Sequence, residues 1–170
     1  MGKKTVFTFL LLMLLSLSLA LGIFYTFTTA PSGPSAAGGV LVLPDQPSLV
    51  PLDGEWQFYW GRLFTPTDLP FPNPVNQTAP LPQVWNKNAQ INLPADGFAT
   101  YRLIVMTEGP PQQMALLLPH ISTSYHLWVN GKLLTSVGQV GPTANEAAPA
   151  YAIRQVQFES RSGANEILLQ

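Results

Sequence analysis

The sequence predicts an all-β fold, an antiparallel β-sandwich preceded by an apolar N-terminal segment. After residue 50, short stretches of alternating apolar and polar residues recur about every ten residues, with turn-forming residues between them. The 170 residues include 17 prolines and 13 glycines, which favours many turns over long helices. There is no cysteine, so an apolar core rather than disulfide bonds has to hold the domain together.

Residues 1–30 have a composition of their own. Lys3 and Lys4 precede a mainly apolar run, residues 5–30, that contains no charged residue. Because a membrane-spanning helix needs about 20 apolar residues, this run is long enough to anchor the chain. The alternative is a signal peptide with a small-residue cleavage site such as Ala20. The positive-inside bias keeps both lysines cytoplasmic, so we expect the rest of the chain on the extracytoplasmic side of the cytoplasmic (inner) membrane.

Residues 31–50 are rich in Gly, Ser and Pro, which predicts a flexible tether that stiffens toward the domain. Residues 40–43 within it are apolar and are a candidate first edge strand. The β-sandwich itself is predicted to cover residues 51–170.

Charge and motifs exclude several classes of function. Eight basic and nine acidic residues give a net charge of −1, and no basic tract for nucleic acid is present. His120 and His126 lack the helical spacing of a zinc site, and no cysteine accompanies them. The sequence has no nucleophile elbow, no phosphate-binding glycine loop and no carboxylate pair at a signature spacing. We therefore expect a protein without catalysis, metal or cofactor.

The aromatic stretch 53–60 predicts the main core strand. Trp56, Phe58 and Trp60 occupy alternate positions, so an extended strand places their rings on one face. Such rings bury large apolar areas, although the same rings are an alternative platform for a ligand such as a sugar. The next stretch, residues 64–82, holds six prolines and is predicted to be a long surface loop.

Alternation predicts a strand at residues 100–105 as well, with Tyr101 and Leu103 facing the core. Arg102 lies on the other face of that strand. A charge buried there needs a partner, and Asp53 or Glu55 is expected to supply it.

The second half of the domain contains five more predicted strands, two of which form a hairpin. Residues 114–118 are continuously apolar, as expected for a strand covered on both faces. Asn130-Gly131 between alternating stretches predicts a hairpin turn, because both residues tolerate positive φ. Residues 151–158 alternate again, and residues 166–170 begin a last strand. The pattern runs to the final residue, so we expect this chain to be a piece of a longer protein.

Five motifs follow one another in order: Leu52-Asp53-Gly54-Glu55-Trp56 with Phe58, Pro82-Gln83-Val84-Trp85, Tyr101-Arg102, Val129-Asn130-Gly131 and Asn165-Glu166-Ile167. The series resembles the galactose-binding-like jelly roll, as in the sugar-binding domain of β-galactosidase-type glycoside hydrolases. The stretches 56–63 and 120–132 look closer to the extracytoplasmic region of bacterial seven-transmembrane receptors with diverse intracellular signalling modules.

The receptor resemblance implies a non-catalytic sensory or ligand-binding domain of a bacterial membrane signalling protein, with membrane and output domains beyond this chain. The hydrolase resemblance implies an alternative, a carbohydrate-binding accessory domain of an exported glycoside hydrolase. Neither resemblance supplies a catalytic residue, and the partner is a small molecule or carbohydrate of unknown identity.

Sites in jelly rolls tend to lie on loops at one end or on an exposed sheet face. Aromatic and hydrogen-bonding side chains there suit a sugar ring, although core packing explains the same residues. The candidate ligand contacts are Arg102, Tyr125, His126 and Trp128. The candidate core residues are Trp56, Phe58, Trp60, Trp85, Tyr101, Leu103 and Leu127.

Overall fold

A computed structural model of the chain describes residues 2, 8, 12–18, 33–45, 49–72, 78–87, 93–121 and 124–170. The chain forms two compact units, Met1–Gly33 and Pro34–Gln170.

Residues 12–18 of the N-terminal unit are helical. The hydroxyl of Ser16 donates a hydrogen bond to the carbonyl of Met13 at 2.9 Å, within one turn of this helix. Among the described residues, no helix is both long enough and apolar enough to span a membrane. Most of the predicted anchor or signal peptide, residues 5–30, lies outside the described residues.

The second unit is mostly β. Its described residues form nine strands and two short 3-10 helices, Pro66–Asp68 and Trp85–Lys87. The strands are β1 (Val40–Val42), β2 (Gly54–Trp60), β3 (Thr78–Leu81), β4 (Ala99–Thr107), β5 (Gln113–Leu118), β6 (Tyr125–Val129), β7 (Lys132–Val137), β8 (Arg154–Glu159) and β9 (Gly163–Leu169).

These strands form a seven-stranded sheet and a two-stranded sheet. The large sheet has the order β3-β2-β4-β9-β6-β7, and β5 pairs with β8 in the small one. One edge of β4 is shared: β2 pairs with residues 99–102, and β1 runs parallel to residues 104–106. The predicted all-β class with antiparallel pairing is confirmed, except that β1 pairs in parallel.

The core lies on the inner face of the large sheet. Alternate residues of β2, β4, β6 and β9 point there, and the rings of Phe58 and Tyr101 meet with centroids 4.9 Å apart. From the small sheet, Leu118 joins this core and Met114, Leu116, Val156 and Phe158 pack against it. Of the seven candidate core residues, the buried ones are Trp56, Phe58, Tyr101, Leu103 and Leu127. Trp60 and Trp85 are partly buried, and their rings meet edge to face with centroids 5.2 Å apart.

The prediction that residues 114–118 are covered on both faces is wrong for the described part of the chain. Leu117 is 63% exposed, and Ala115 is exposed on the same outer face. Burial alternates along β5 although its sequence is continuously apolar, because β5 and β8 cover the core with one face only.

The candidate first strand at residues 40–43 is present as β1, and part of the expected loop 64–82 also belongs to the large sheet. Ala36 bridges to Gly54, and Leu41 of β1 is fully buried, so this part of the expected tether is built into the domain. Within the expected loop 64–82, residues Thr78–Leu81 form β3. Pro80 is tolerated there because β3 is an edge strand, whose outer side needs no backbone donor.

Trp56→Ala is expected to lower the free energy of unfolding by about 3–5 kcal/mol, because it removes a large buried ring. Trp56 is 5% exposed, and its indole N–H donates to the carbonyl of Leu52 at 2.8 Å. Urea unfolding of the full chain measures the change. Leu117→Ala on the exposed face of β5 is the control and should change stability by no more than about 0.5 kcal/mol. Equal effects of the two substitutions would contradict the assigned core.

Candidate functional site

The outer face of the large sheet carries the side chains that alternate with the core residues. Arg102 of β4 lies opposite Leu168 of β9, which in turn lies opposite Trp128 of β6. Residues in register across neighbouring strands share a face. Arg102 and Trp128 are therefore on the same face, about 10 Å apart with Leu168 between them.

The connection 61–72 crosses part of this outer face and is fixed to it by hydrogen bonds. The Phe64 N–H donates to the hydroxyl of Thr100 at 2.9 Å, and the side-chain amide of Gln170 donates to the Phe64 carbonyl at 2.8 Å. The rings of Phe64 and Phe71 stack with centroids 5.0 Å apart. The connection therefore forms a fixed wall over the sheet.

Arg102 is held on three sides. Its Nε donates to Glu166 Oε1 at 2.6 Å, and its Nη1 donates to Gln57 Oε1 at 2.9 Å. The guanidinium carbon lies 5.7 Å from the centroid of the Phe71 ring, within the range of a cation–π contact. These contacts fix the guanidinium in one position on the outer face.

The expected partner of Arg102, Asp53 or Glu55, is wrong. In the pairing of β2 with β4, Gln57 is the residue opposite Arg102. The carboxylate of Glu55 instead accepts the Gly38 N–H at 3.2 Å. The ion-pair partner comes from the other neighbouring strand, β9, which sequence spacing alone did not place beside β4.

A shallow cavity of about 280 Å³ opens on this face, between the connection 61–72 and the β6–β7 turn. Its polar lining combines two guanidinium groups, one carboxylate and one amide. The residues that line it are Pro66, Leu69, Arg102, Ile104, Asn130, Gly131, Arg161, Ala164 and Glu166.

The predicted Asn130-Gly131 hairpin turn is present and forms one wall of the cavity. Asn130 and Gly131 have φ values of 52° and 84°, which only such turn residues adopt without strain. The Asn130 N–H donates to the Glu166 carbonyl at 2.9 Å, and Asn130 Oδ1 accepts the Glu166 N–H at 3.0 Å. The turn is thus bound to β9 at the position that carries the cavity's carboxylate.

Asn165 connects this turn to the one before β9, a role that sequence reasoning missed. Its side chain is 1% exposed. Its Oδ1 accepts the Arg161 N–H at 2.7 Å and Asn130 Nδ2 at 3.0 Å, and its Nδ2 donates to the Thr107 hydroxyl at 3.1 Å. A buried amide with these partners fixes the backbone that presents Arg161 to the cavity.

Arg161 and Glu166 were likewise not among the candidate site residues. The alternation of the last strand offered a signal for Glu166, because Asn165 and Ile167 face the core and leave Glu166 on the outer face. No pattern in the sequence marks Arg161, whose position depends on the turn before β9.

The structure does not bring the four candidate ligand contacts together. Arg102 lines the cavity, whereas His126 and Trp128 lie on the same face outside it, edge to face with centroids 5.4 Å apart. Tyr125 points to the opposite face and is 1% exposed. The Tyr125 hydroxyl has no hydrogen-bond partner within the described part of the chain.

Tyr59 supports the site from its side of the outer face. Burial raises the pKa of the Tyr59 hydroxyl; Arg102 lowers this pKa and Glu166 raises it, both by smaller amounts. The hydroxyl therefore stays protonated near neutral pH and donates to Gln57 Oε1 at 3.2 Å, the oxygen that also accepts from Arg102.

Within the described ranges, no group of three or more His, Cys, Asp or Glu side chains could hold a metal ion.

Comparisons with known proteins give distant structural similarities. A beta-galacturonidase of family GH2 from Eisenbergiella tayi, solved with galacturonate, is 19% identical to this chain in sequence. The two structures match with a TM-score of 0.44 over 68% of this chain. The beta-glucuronidase of Faecalibacterium prausnitzii is 16% identical with a TM-score of 0.48, over 75% of this chain. The matches cover only 17% and 22% of those enzymes' chains.

No protein-family model and no curated protein sequence matches the chain significantly. The solved structures named above are glycoside hydrolases, and the resemblance to receptor regions stays a prediction.

Glu166→Gln is expected to lower the free energy of unfolding by about 1–3 kcal/mol, because it leaves the partly buried Arg102 without its counter-charge. The side chain of Arg102 is 23% exposed and that of Glu166 is 16% exposed. The double variant Arg102→Gln with Glu166→Gln should lose less than the sum of the single losses. Urea unfolding measures all three, and Glu159→Gln on the exposed face of β8 is the control. Additive losses would show that the two groups are not coupled.

Proposed function

We propose that the domain formed by residues 34–170 is a non-catalytic ligand-binding domain that takes a small carbohydrate in the outer-face cavity. The observation that supports this proposal is the composition of the cavity lining. Guanidinium, carboxylate and amide groups lie beside the apolar surfaces of Pro66, Leu69 and Ile104. A sugar offers the matching combination, hydroxyl groups around the edge of a ring with apolar C–H faces.

Size and rigidity favour a small ligand. The cavity of about 280 Å³ lies just below the range of ligand pockets, which starts at about 300 Å³, so it suits a single sugar unit. Its walls are strands β4 and β9, a turn bound to β9 and a connection fixed to the sheet. A site already fixed before binding loses little conformational entropy when the ligand enters.

The carboxylate content of the cavity favours binding without hydrolysis. Glycosidases work with two carboxyl groups flanking the scissile bond. Among the described residues that line the cavity, Glu166 is the one carboxylate, and it is already paired with Arg102. We assign His126 and Trp128 to a second contact surface on the same face, where a longer glycan would continue.

A second candidate function is the sensory input of a bacterial membrane signalling protein, and the ordered motif series that resembles receptor regions favours it. In this proposal the domain is a jelly roll on the extracytoplasmic side, tied to the membrane through residues 5–30. Fusion of alkaline phosphatase after Gln170 tests the location, because that reporter is active only outside the cytoplasm. A reading frame that continues into membrane helices would support the receptor, and one that continues into a catalytic barrel would support the hydrolase accessory domain.

Ala164→Phe is expected to abolish carbohydrate binding, because Ala164 is exposed and lines the cavity that a phenyl ring would fill. A thermal-shift screen of the full chain against neutral hexoses and hexuronates measures binding, since a ligand of the native state raises its apparent stability. Ala115→Phe adds the same ring to the exposed face of β5 and should leave binding intact. A screen in which no sugar stabilises the unsubstituted chain would contradict the proposed function.

A further inference from the structure

The charges in the outer-face cavity do not balance. Among the described residues, three charged side chains line it, those of Arg102, Arg161 and Glu166. Arg102 and Glu166 neutralise each other through the 2.6 Å contact between Nε and Oε1. Arg161 therefore leaves the cavity with one net positive charge.

Arg161 has a fixed backbone and a largely unengaged side chain. Its N–H donates to Asn165 Oδ1 at 2.7 Å, and its carbonyl accepts the Thr107 hydroxyl at 2.7 Å. The exposed guanidinium donates one long hydrogen bond, from Nη2 to the Asn130 carbonyl at 3.3 Å. In the part of the chain that the structure describes, no carboxylate lies within ion-pair distance of Arg161.

We propose that the cavity selects an acidic sugar, a hexuronate whose carboxylate pairs with Arg161. This inference rests on the proposed function and adds the charge of the ligand. A planar guanidinium matches a carboxylate through two parallel N–H···O bonds, and most of the five donors of Arg161 are unused. The ring of the sugar then lies toward Pro66 and Leu69, with its hydroxyls toward Asn130.

Glu166 does not oppose an anionic ligand, because Arg102 lies against its carboxylate. The cavity also differs from a site for a di- or triphosphate, which would need several unpaired cations or a cradle of backbone N–H groups. One unpaired guanidinium matches one negative charge, and the apolar wall matches a ring. A monoanionic sugar meets both conditions, whereas a neutral hexose leaves Arg161 unpaired.

Isothermal titration of the full chain with hexuronates and with the corresponding neutral hexoses tests the inference. Each hexuronate should bind at least about tenfold more tightly than the corresponding neutral hexose. This factor is the effect of one charge-assisted hydrogen bond. Arg161→Gln should weaken hexuronate binding by about tenfold or more and so remove the preference for the acidic sugar over the neutral hexose. Lys132→Gln, on the β6–β7 hairpin but outside the cavity lining, removes the same charge and should change binding by less than about threefold.

The outcomes separate this inference from the proposed function. Equal affinity for acidic and neutral sugars, with both lost in Ala164→Phe, would overturn the charge selection and leave the carbohydrate site in place. Equal weakening by Arg161→Gln and Lys132→Gln would also overturn it, because the effect would then come from net charge. An absence of binding by every sugar would overturn both proposals.

Discussion

The two-sided pairing of β4 is the constraint on which the rest of the domain depends. β4 hydrogen-bonds to β9 along one edge and to both β1 and β2 along the other. Its alternate residues Tyr101, Leu103 and Val105 form the centre of the core. Its intervening residues Arg102 and Ile104 form the floor of the outer-face cavity. One strand therefore determines both the stability of the domain and the position of the candidate site, and a shift of register by one residue would exchange the two faces.

The site is assembled from segments far apart in the sequence, and a buried polar side chain fixes their positions. Asn165 hydrogen-bonds Asn130 of the β6–β7 turn and the backbone of Arg161 in the turn before β9. Burial of an amide is costly unless its hydrogen bonds are made, so both turns adopt the conformations that satisfy it. The result places a paired carboxylate, and a guanidinium without a carboxylate partner among the described residues, around one small cavity. Our proposal that the cavity recognises a ligand rests on this arrangement.

Local patterns in the sequence predict most of the domain and little of the site. Alternation at Trp56 and Phe58 predicts the core strand, and Asn130-Gly131 predicts a turn whose geometry is local. The partner of Arg102 depends on which strands are neighbours, which local pattern does not encode. Leu117 was misplaced for a related reason, because an apolar run does not reveal that one face of a sheet is uncovered. Arg161 reaches the cavity through tertiary contacts of its backbone with Asn165 and Thr107.

The central claim is that ligand recognition occurs on the outer face of the large sheet. NMR chemical-shift mapping of the isotope-labelled full chain during a hexuronate titration tests it most directly. We expect the largest shifts at the amides of Leu69, Arg102, Gly131 and Ala164, and no shifts in β5 and β8. Shifts concentrated on the β5–β8 sheet, or on the buried inner-face residue Tyr125, would contradict the claim and place recognition elsewhere in the domain.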